Sequence, residues 1–310
     1  MRIGIDIGGT NIAAALVGEG GGIVKSISAP TNADGGAEAV TGGILRVCER
    51  LLEGLTETPR SVGIGVPGVV NAETGEVMFT PNLPLSGVNI TRGIGEKLGC
   101  PVFTGNDANC AALGEAYAGA LRDAQSGVFI TLGTGVGGGI ILNKRLYTGS
   151  NGLAGEIGHM VISMGGHECG CGRRGCFEAY ASATGLVRTA RELADMYEDS
   201  ILREALDRLD SRAVFDAMRA GDRAARLAVD KYIKHLAAGI ANLINMFAPE
   251  TVCIGGGVSN AWDCISEPLR AAVDAEKYAR FSPEFPQTRI IRAELGGDAG
   301  VIGAAVLGDY

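Results

Sequence analysis

The chain contains no run of about 18 or more apolar residues, so nothing in it reads as a membrane-spanning helix. Its first residues, MRIGIDIGG, place Asp6 where a secretory leader needs an apolar stretch, and secretion is not expected. Basic residues are in deficit. A net charge of -8 offers no cationic excess to displace counterions from phosphates, which argues against nonspecific nucleic-acid binding. Any phosphate that is bound must be held by local backbone groups and a divalent cation. The glycine-rich stretches lack the lysine of a P-loop and the spacing of a Rossmann turn before a helix. A disulfide framework is also missing. Of the eight cysteines, Cys48, Cys100, Cys110, Cys253 and Cys264 are scattered singly among mostly apolar neighbours, the pattern of buried free thiols. A reducing, cytoplasmic compartment is the expectation.

What is present suits a soluble α/β enzyme. The 310 residues are 46% hydrophobic, enough for a real core, and the length allows two domains of about 150 residues. Glycine contributes 49 residues, more than double the usual share of about 7%, which implies many tight turns and close backbone approaches. Residues 3–17 read as strand, D-I-G-G-T-N turn, strand, and residues 128–142 as strand, T-L-G-T-G-V-G-G-G turn, strand. A duplicated half-molecule is the simplest account, with chance likeness of two glycine-rich hairpins as the alternative. Residues 61–66 and 101–104 are further strand candidates, the second followed by an alanine-rich helix over 107–120. Ile233, Leu236, Ile240, Leu243, Ile244 and Phe247 recur at helical spacing until Pro249, and 251–254 form a short strand running into Gly255, Gly256 and Gly257. Leu186, Val187, Leu193 and Tyr197 mark another helix, and 202–218 is predicted to be helical and more exposed.

The sharpest signal lies between E-I-G-H at 156–159 and C-G-C-G-R-R-G-C-F-E at 169–178. His159, Cys169, Cys171 and Cys176 make a soft N/S set that suits tetrahedral zinc. Four protein ligands close the shell, so the metal is structural rather than catalytic. Glu156 and Glu178 flank the ligands, and folding the loop fixes the direction of both carboxylates. The plainer reading is a zinc knuckle with ordinary surface glutamates. In the first turn the N–H groups of Gly8, Gly9, Thr10 and Asn11 can face an anion, with Asp6 placed to hold magnesium through water. Gly133, Thr134, Gly135, Val136 and Gly137 offer a second set of donors.

Taken together, MRIGIDIGGTN, G-V-P-G at 65–68, P-N-L-P at 81–84, G-N-D-A-N at 105–109, L-G-T-G-V-G-G-G at 132–139, E-I-G-H, the cysteine cluster, G-G-G-V-S at 255–259 and G-D-A-G-V-I-G-A-A near the C-terminus resemble the ROK sugar kinases, among them bacterial glucokinases most closely. The resemblance covers essentially the whole chain. It implies a two-domain α/β fold of the actin-like ATPase type, with ribonuclease-H-like sheets and a zinc-binding loop. The N-terminal domain would be 1–118, with the C-terminal helix of 298–310 packing back on it, and the second domain 119–297. Sugar and ATP would meet in the cleft between the two. The cofactors implied are ATP, Mg2+ and a structural Zn2+.

Carried over by position, the two glycine turns would bind phosphate, and Gly256 and Gly257 would pass near the adenosine. Sugar hydroxyls would be held by Gly68, Asn82, Asn106, Asp107, Glu156, His159 and Glu178. His159 could serve twice, since its two ring nitrogens can face metal and sugar separately. The reaction implied is phosphorylation of glucose at its 6-hydroxyl, with N-acetylmannosamine or another hexose as the alternative substrate. A cytoplasmic homodimer working in glycolysis, without nucleic-acid or membrane partner, completes the expectation.

Asp107 is the catalytic candidate. It follows Asn106 where a strand ends and a helix begins, so the helix N-terminus favours its ionised form. A weak base suffices, because in a loose phosphoryl-transfer transition state the attacking oxygen loses its proton late. An N-cap carboxylate with no other duty is the plainer reading. Two other classes share the fold. The family's sugar-responsive repressors carry a helix-turn-helix region ahead of the first hairpin, and here the first strand starts at residue 3. Cytoskeletal or chaperone-like ATPases need no sugar-shaped zinc loop.

Overall fold

The computed structural model describes residues 1–278, 284 and 286–310. The chain divides into two units: unit 1 comprises Met1–Phe129, Gly139–Gly155 and Glu294–Tyr310, and unit 2 comprises Ile130–Gly138 and Glu156–Ala293. The division expected from sequence instead gives 119–129, 139–155 and 294–297 to the second domain. Part of the difference has a local cause. The fully buried carboxylate of Glu115 accepts hydrogen bonds from the backbone N–H groups of Ala120 (2.7 Å), Glu294 (3.2 Å) and Leu295 (2.9 Å), tying these stretches to unit 1.

In chain order the first elements are β1 (Arg2–Ile7), β2 (Asn11–Val17), β3 (Ile23–Pro30), α1 (Gly36–Leu52), β4 (Val62–Val66), β5 (Val69–Asn71), β6 (Glu76–Phe79), β7 (Val88–Asn89), α2 (Arg92–Leu98), β8 (Val102–Asn106) and α3 (Asp107–Ala118). Next come β9 (Ser126–Leu132), β10 (Val136–Leu142), β11 (Arg145–Leu146), α4 (Glu178–Ala181), α5 (Ala183–Met196), α6 (Ser211–Arg219), α7 (Arg223–Phe247), β12 (Thr251–Gly255), α8 (Trp262–Glu276), β13 (Arg289–Arg292) and α9 (Ala299–Ala305). The first sheet runs β3-β2-β1-β4-β8 and the second β11-β10-β9-β12-β13. Each sheet starts from a hairpin, adds a strand on its outer side and continues beyond its first strand with two more. That repeated order makes chance likeness of the two hairpins the weaker account.

In unit 1, β1 pairs antiparallel with β2 and parallel with β4, which in turn pairs parallel with β8. Strands covered on both faces read as continuous apolar runs, and Ile3, Ile5, Val62, Ile64 and Val66 are fully buried. One face is covered by α1, which presents Val40, Ile44, Val47, Cys48 and Leu51 at helical spacing. Against the other face α9 lies backbone to backbone: a Cβ at Gly4 would overlap the Val301 carbonyl, and one at Gly63 the Ala304 carbonyl. Gly4 and Gly63 are thus a packing requirement, since larger residues there would lift the helix off the sheet, and Gly303 in the C-terminal G-D-A-G-V-I-G-A-A lets α9 approach the Cys110 carbonyl of α3 as closely.

In unit 2, α7 begins where the Asp222 side chain accepts from Ala225 N–H at 2.7 Å and ends at Ala248 in the left-handed region, just before Pro249. Its buried Tyr232 donates to the Ala181 carbonyl at 2.8 Å. The predicted helix over 202–218 is two elements, a 3-10 stretch Ile201–Arg208 and then α6. Asp210 causes the break, because its side chain accepts from Ala213 N–H at 2.8 Å and starts a new helix there. The helix predicted over 107–120 stops at Ala118, where Gly119 and the Glu115 carboxylate end it. Cys48, Cys100, Cys110 and Cys253 are buried as expected of isolated thiols, whereas Cys264 is partly exposed. Among the described residues no helix is long and apolar enough to cross a membrane.

Candidate active site and metal centre

Residues 157–177 fold as a compact loop. Its strands meet at two isolated bridges, Val161 with Cys176 and Glu168 with Arg174. Gly172 and Gly175 turn the chain with φ of +83° and +82°, a region that favours glycine. The fully buried Phe177 anchors the loop end, its N–H donating to the Met160 carbonyl at 2.7 Å. The ligand atoms of His159, Cys169, Cys171 and Cys176 consequently all lie within 4.8 Å of one another. His159 Nδ1 is 3.6 Å from Cys169 Sγ, and Cys171 Sγ is 3.7 Å from Cys176 Sγ. Zinc bond lengths of about 2.3 Å to sulfur and about 2.0 Å to nitrogen set tetrahedral edges of about 3.8 and 3.6 Å. The His159–Cys169 and Cys171–Cys176 separations match such edges, so the chemistry and spacing of the donor set suit a zinc ion.

Glu178 connects this loop to the second glycine turn. Its Oε1 lies 3.4 Å from Cys169 Sγ, and its Oε2 accepts from Val136 N–H at 3.0 Å. A Cβ at Gly135 would overlap that same carboxylate oxygen. The turn is braced again by Ala183 N–H donating to the Gly133 carbonyl and by the Thr184 hydroxyl donating to the Thr134 carbonyl, both at 2.8 Å. Of the donors expected to face phosphate, Val136 N–H is thus engaged by Glu178 and Gly133 N–H by the Gly135 carbonyl at 3.0 Å. Glu156 is exposed and immediately precedes the 3-10 turn Ile157–His159, with its carbonyl accepting from His159 N–H at 3.1 Å.

In unit 1 the first turn behaves similarly. Gly8 N–H closes the hairpin on the Asn11 carbonyl at 2.9 Å, while Gly9, Thr10 and Asn11 are exposed. Asp6, the half-buried residue of β1, lies opposite Gly65 of β4, and Gly65 sits opposite Gly105 of β8. Two glycines between them let the ends of β1 and α3 draw close. A Cβ at Gly65 would stand 3.6 Å from Asp6 Oδ1, 3.6 Å from Asp107 Cα and 3.3 Å from Cys110 Sγ. Burial, reinforced by the Asp107 charge, pushes the Asp6 carboxyl up from 3.8 to about 6. Burial, then the charges of Asp6 and Asp107, holds the Cys110 thiol well above its ordinary range. Ala108 N–H donates to Asp107 Oδ1 at 2.9 Å and fixes the carboxylate at the helix start.

Asn106 caps α3, its Oδ1 accepting from Asn109 N–H at 3.0 Å, while its Nδ2 donates to the Gly68 carbonyl at 3.1 Å. Asn82 is exposed in the turn after β6. Gly256 has φ of +79°, and a Cβ there would stand 2.5 Å from backbone atoms of Leu132. Beside Gly257 opens a cavity of about 430 Å³ walled by Phe215, Arg212 and Arg219 of α6 together with Val258 and Asn260. Arg219 is held between Asp216 (3.0 Å) and Asp263 (3.0 Å). Sequence reading assigned α6 no part here. It was read only as part of an exposed helix over 202–218, and nothing local ties it to the glycines about forty residues on.

Residues 2–309 match the ROK family, and the chain belongs to that family. Its α/β architecture with mixed sheets is the actin-like ATPase fold of the ROK sugar kinases. The glucokinase of Thermotoga maritima is 40% identical over 98% of this chain and 95% of its own length. A ROK family glucokinase from Streptomyces griseus, solved in complex with glucose and AMPPNP, matches with a TM-score of 0.83 at 35% identity, covering 99% of this chain and 98% of that one. The xylose repressor of Caldicellulosiruptor bescii is 31% identical over 98% of this chain but 77% of its own length.

Proposed function

We propose that this chain is an ATP-dependent glucokinase that transfers the terminal phosphoryl group of ATP to the 6-hydroxyl of glucose. The observation that carries the reading is the match to glucokinases at up to 40% identity over nearly the full chain. The local chemistry supports it. Asp107, held by Ala108 N–H at the start of α3, accepts the proton of the attacking hydroxyl. Gly68, Asn82, Asn106, Glu156, His159 and Glu178 hold and orient the sugar, whose hydroxyls both donate and accept. The N–H groups of the exposed residues Gly9, Thr10 and Asn11 in the first turn, with those of Thr134, Gly135 and Gly137 in the second, cradle phosphate oxygens. Gly8, Gly133 and Val136 shape those turns, and Gly256 and Gly257 border the adenosine.

Asp6 is the residue to hold magnesium through water, and that ion supplies neutralisation of phosphate charge when bound. The donor set of His159, Cys169, Cys171 and Cys176 is the one to hold zinc, which supplies rigidity to the loop bearing Glu156 and Glu178. In this reading the functional domains are 1–118 with 298–310, carrying Asp6 and Asp107, and 119–297, carrying the second turn and the metal loop. The enzyme works in the cytoplasm as a homodimer. Eight cysteines, none of them in a disulfide among the described residues, support the compartment, and family likeness supports the dimer.

The test is ADP release measured over glucose, mannose, fructose, N-acetylglucosamine and N-acetylmannosamine. Glucose is expected to give the highest kcat/KM. Preference for N-acetylmannosamine would reassign the substrate within the family, and ATP turnover indifferent to every sugar would overturn the reading.

A further inference from the structure

We propose that Asn106 is a positioning residue: its amide ties the Gly68 strap to the N-terminus of α3 and so holds the turn bearing Asn82 in register with Asp107. The inference deepens the kinase reading and rests on it for its kinetic consequence. Three observations carry it. Asn106 uses both ends of its side chain within the protein, capping α3 through Oδ1 (3.0 Å to Asn109 N) and donating from Nδ2 to the Gly68 carbonyl (3.1 Å). The best N-caps are asparagine, aspartate and serine, and of these asparagine alone has an amide donor beside its acceptor. A residue needed only to cap would not have to be asparagine.

Gly68 is itself committed to this geometry. Its φ of +126° lies where side chains are strained, and a Cβ would overlap the Phe79 carbonyl. The strap therefore packs directly on the end of β6. Register then transmits the position: Val66 lies opposite Asn106 between β4 and β8, Val69 lies opposite Phe79 between β5 and β6, and Asn82 follows Phe79 by three residues. Through this path one hydrogen bond from the Asn106 amide links the helix start that carries Asp107 to the turn assigned to the sugar. Asn106 retains one lone pair and one N–H beyond these two bonds, so the tie is compatible with a sugar contact as well.

The experiment uses Asn106→Ser, which keeps a good cap but is too short to reach Gly68, with Asn106→Asp as a second variant that keeps shape and cap but cannot donate. Hydrogen exchange is followed in the full-length protein without sugar or nucleotide. Protection of amides over 68–80 is expected to fall about five-fold or more in both variants, the scale of one lost hydrogen bond, while the first turn of α3 is unchanged. Turnover is expected to fall about five- to hundred-fold with KM for ATP unaltered. Wild-type protection over 68–80 in both variants would overturn the tie and leave Asn106 as a sugar ligand only. Equal loosening of α3 and the strap would also overturn it, leaving a cap. Because the exchange readout needs no catalysis, failure of the kinase reading would show separately, as loosening of the strap in a protein without sugar phosphorylation.

Discussion

Asp6 offers a sharp test because stability and function should move in opposite directions there. Its carboxyl is largely buried beside Asp107, and its pKa lies at about 6 against an ordinary 3.8. The difference, about 2 units, corresponds to roughly 3 kcal/mol by which the folded state is penalised when Asp6 is ionised. Since the folded pKa is above the unfolded one, that penalty is full above about pH 6. It shrinks as pH falls toward about 4, where the unfolded chain also takes up the proton. Asp6→Asn keeps the shape and removes the charge. In urea unfolding at pH 7.5, without nucleotide or magnesium, the variant is expected to be more stable than wild type by up to about 3 kcal/mol, and the advantage should largely vanish at pH 4. The same variant should lose phosphoryl transfer, because the strain is kept for a function. Equal stability at pH 7.5, or an advantage that persists undiminished at pH 4, would refute the reasoning.

Asp107→Asn should lower kcat by about 10²–10⁴ while calorimetric glucose affinity stays within a few-fold, and near-normal turnover would remove Asp107 from the chemistry. Metal analysis should find about one zinc per chain, and a chelator should increase hydrogen exchange over 157–177 and, through Glu178, in the turn at 133–137. An unchanged exchange pattern in metal-free protein would contradict the brace. Glu115→Ala leaves three backbone N–H groups without their acceptor and should destabilise the protein by roughly 3 kcal/mol or more in urea titration, with Glu115→Gln losing less.

Features carried by short-range pattern were readable before the structure. The hairpin of β1 and β2 shows apolar strands on either side of the D-I-G-G-T-N bend, and the stop of α7 is written as Pro249. The cluster of His159, Cys169, Cys171 and Cys176 was readable because its chemistry is concentrated in eighteen residues, 159–176. What escaped depends on distant partners. Glu115 lies in an alanine-rich helix and meets Glu294 and Leu295 some 180 residues later, which no local pattern announces. The glycines of α9 could be matched to a motif, but their reason needs the packed structure: a Cβ at Gly303 would overlap the Cys110 carbonyl of α3, and one at Gly300 would crowd the Asp6 carboxylate. The single helix expected over 202–218 missed the break at Asp210, whose cap on Ala213 N–H shows only in the folded structure. The ties of Glu178 to Val136 and of Asn106 to Gly68 belong to the same long-range class.

The most direct measurement is phosphorus NMR of the product formed from glucose and ATP by wild type and Asp107→Asn at equal protein concentration. Wild type is expected to give glucose phosphorylated at the 6-hydroxyl, with the variant slower by about 10²–10⁴. Inorganic phosphate as the sole product, or a sugar phosphate formed equally fast by both proteins, would contradict a kinase in which Asp107 activates the glucose hydroxyl.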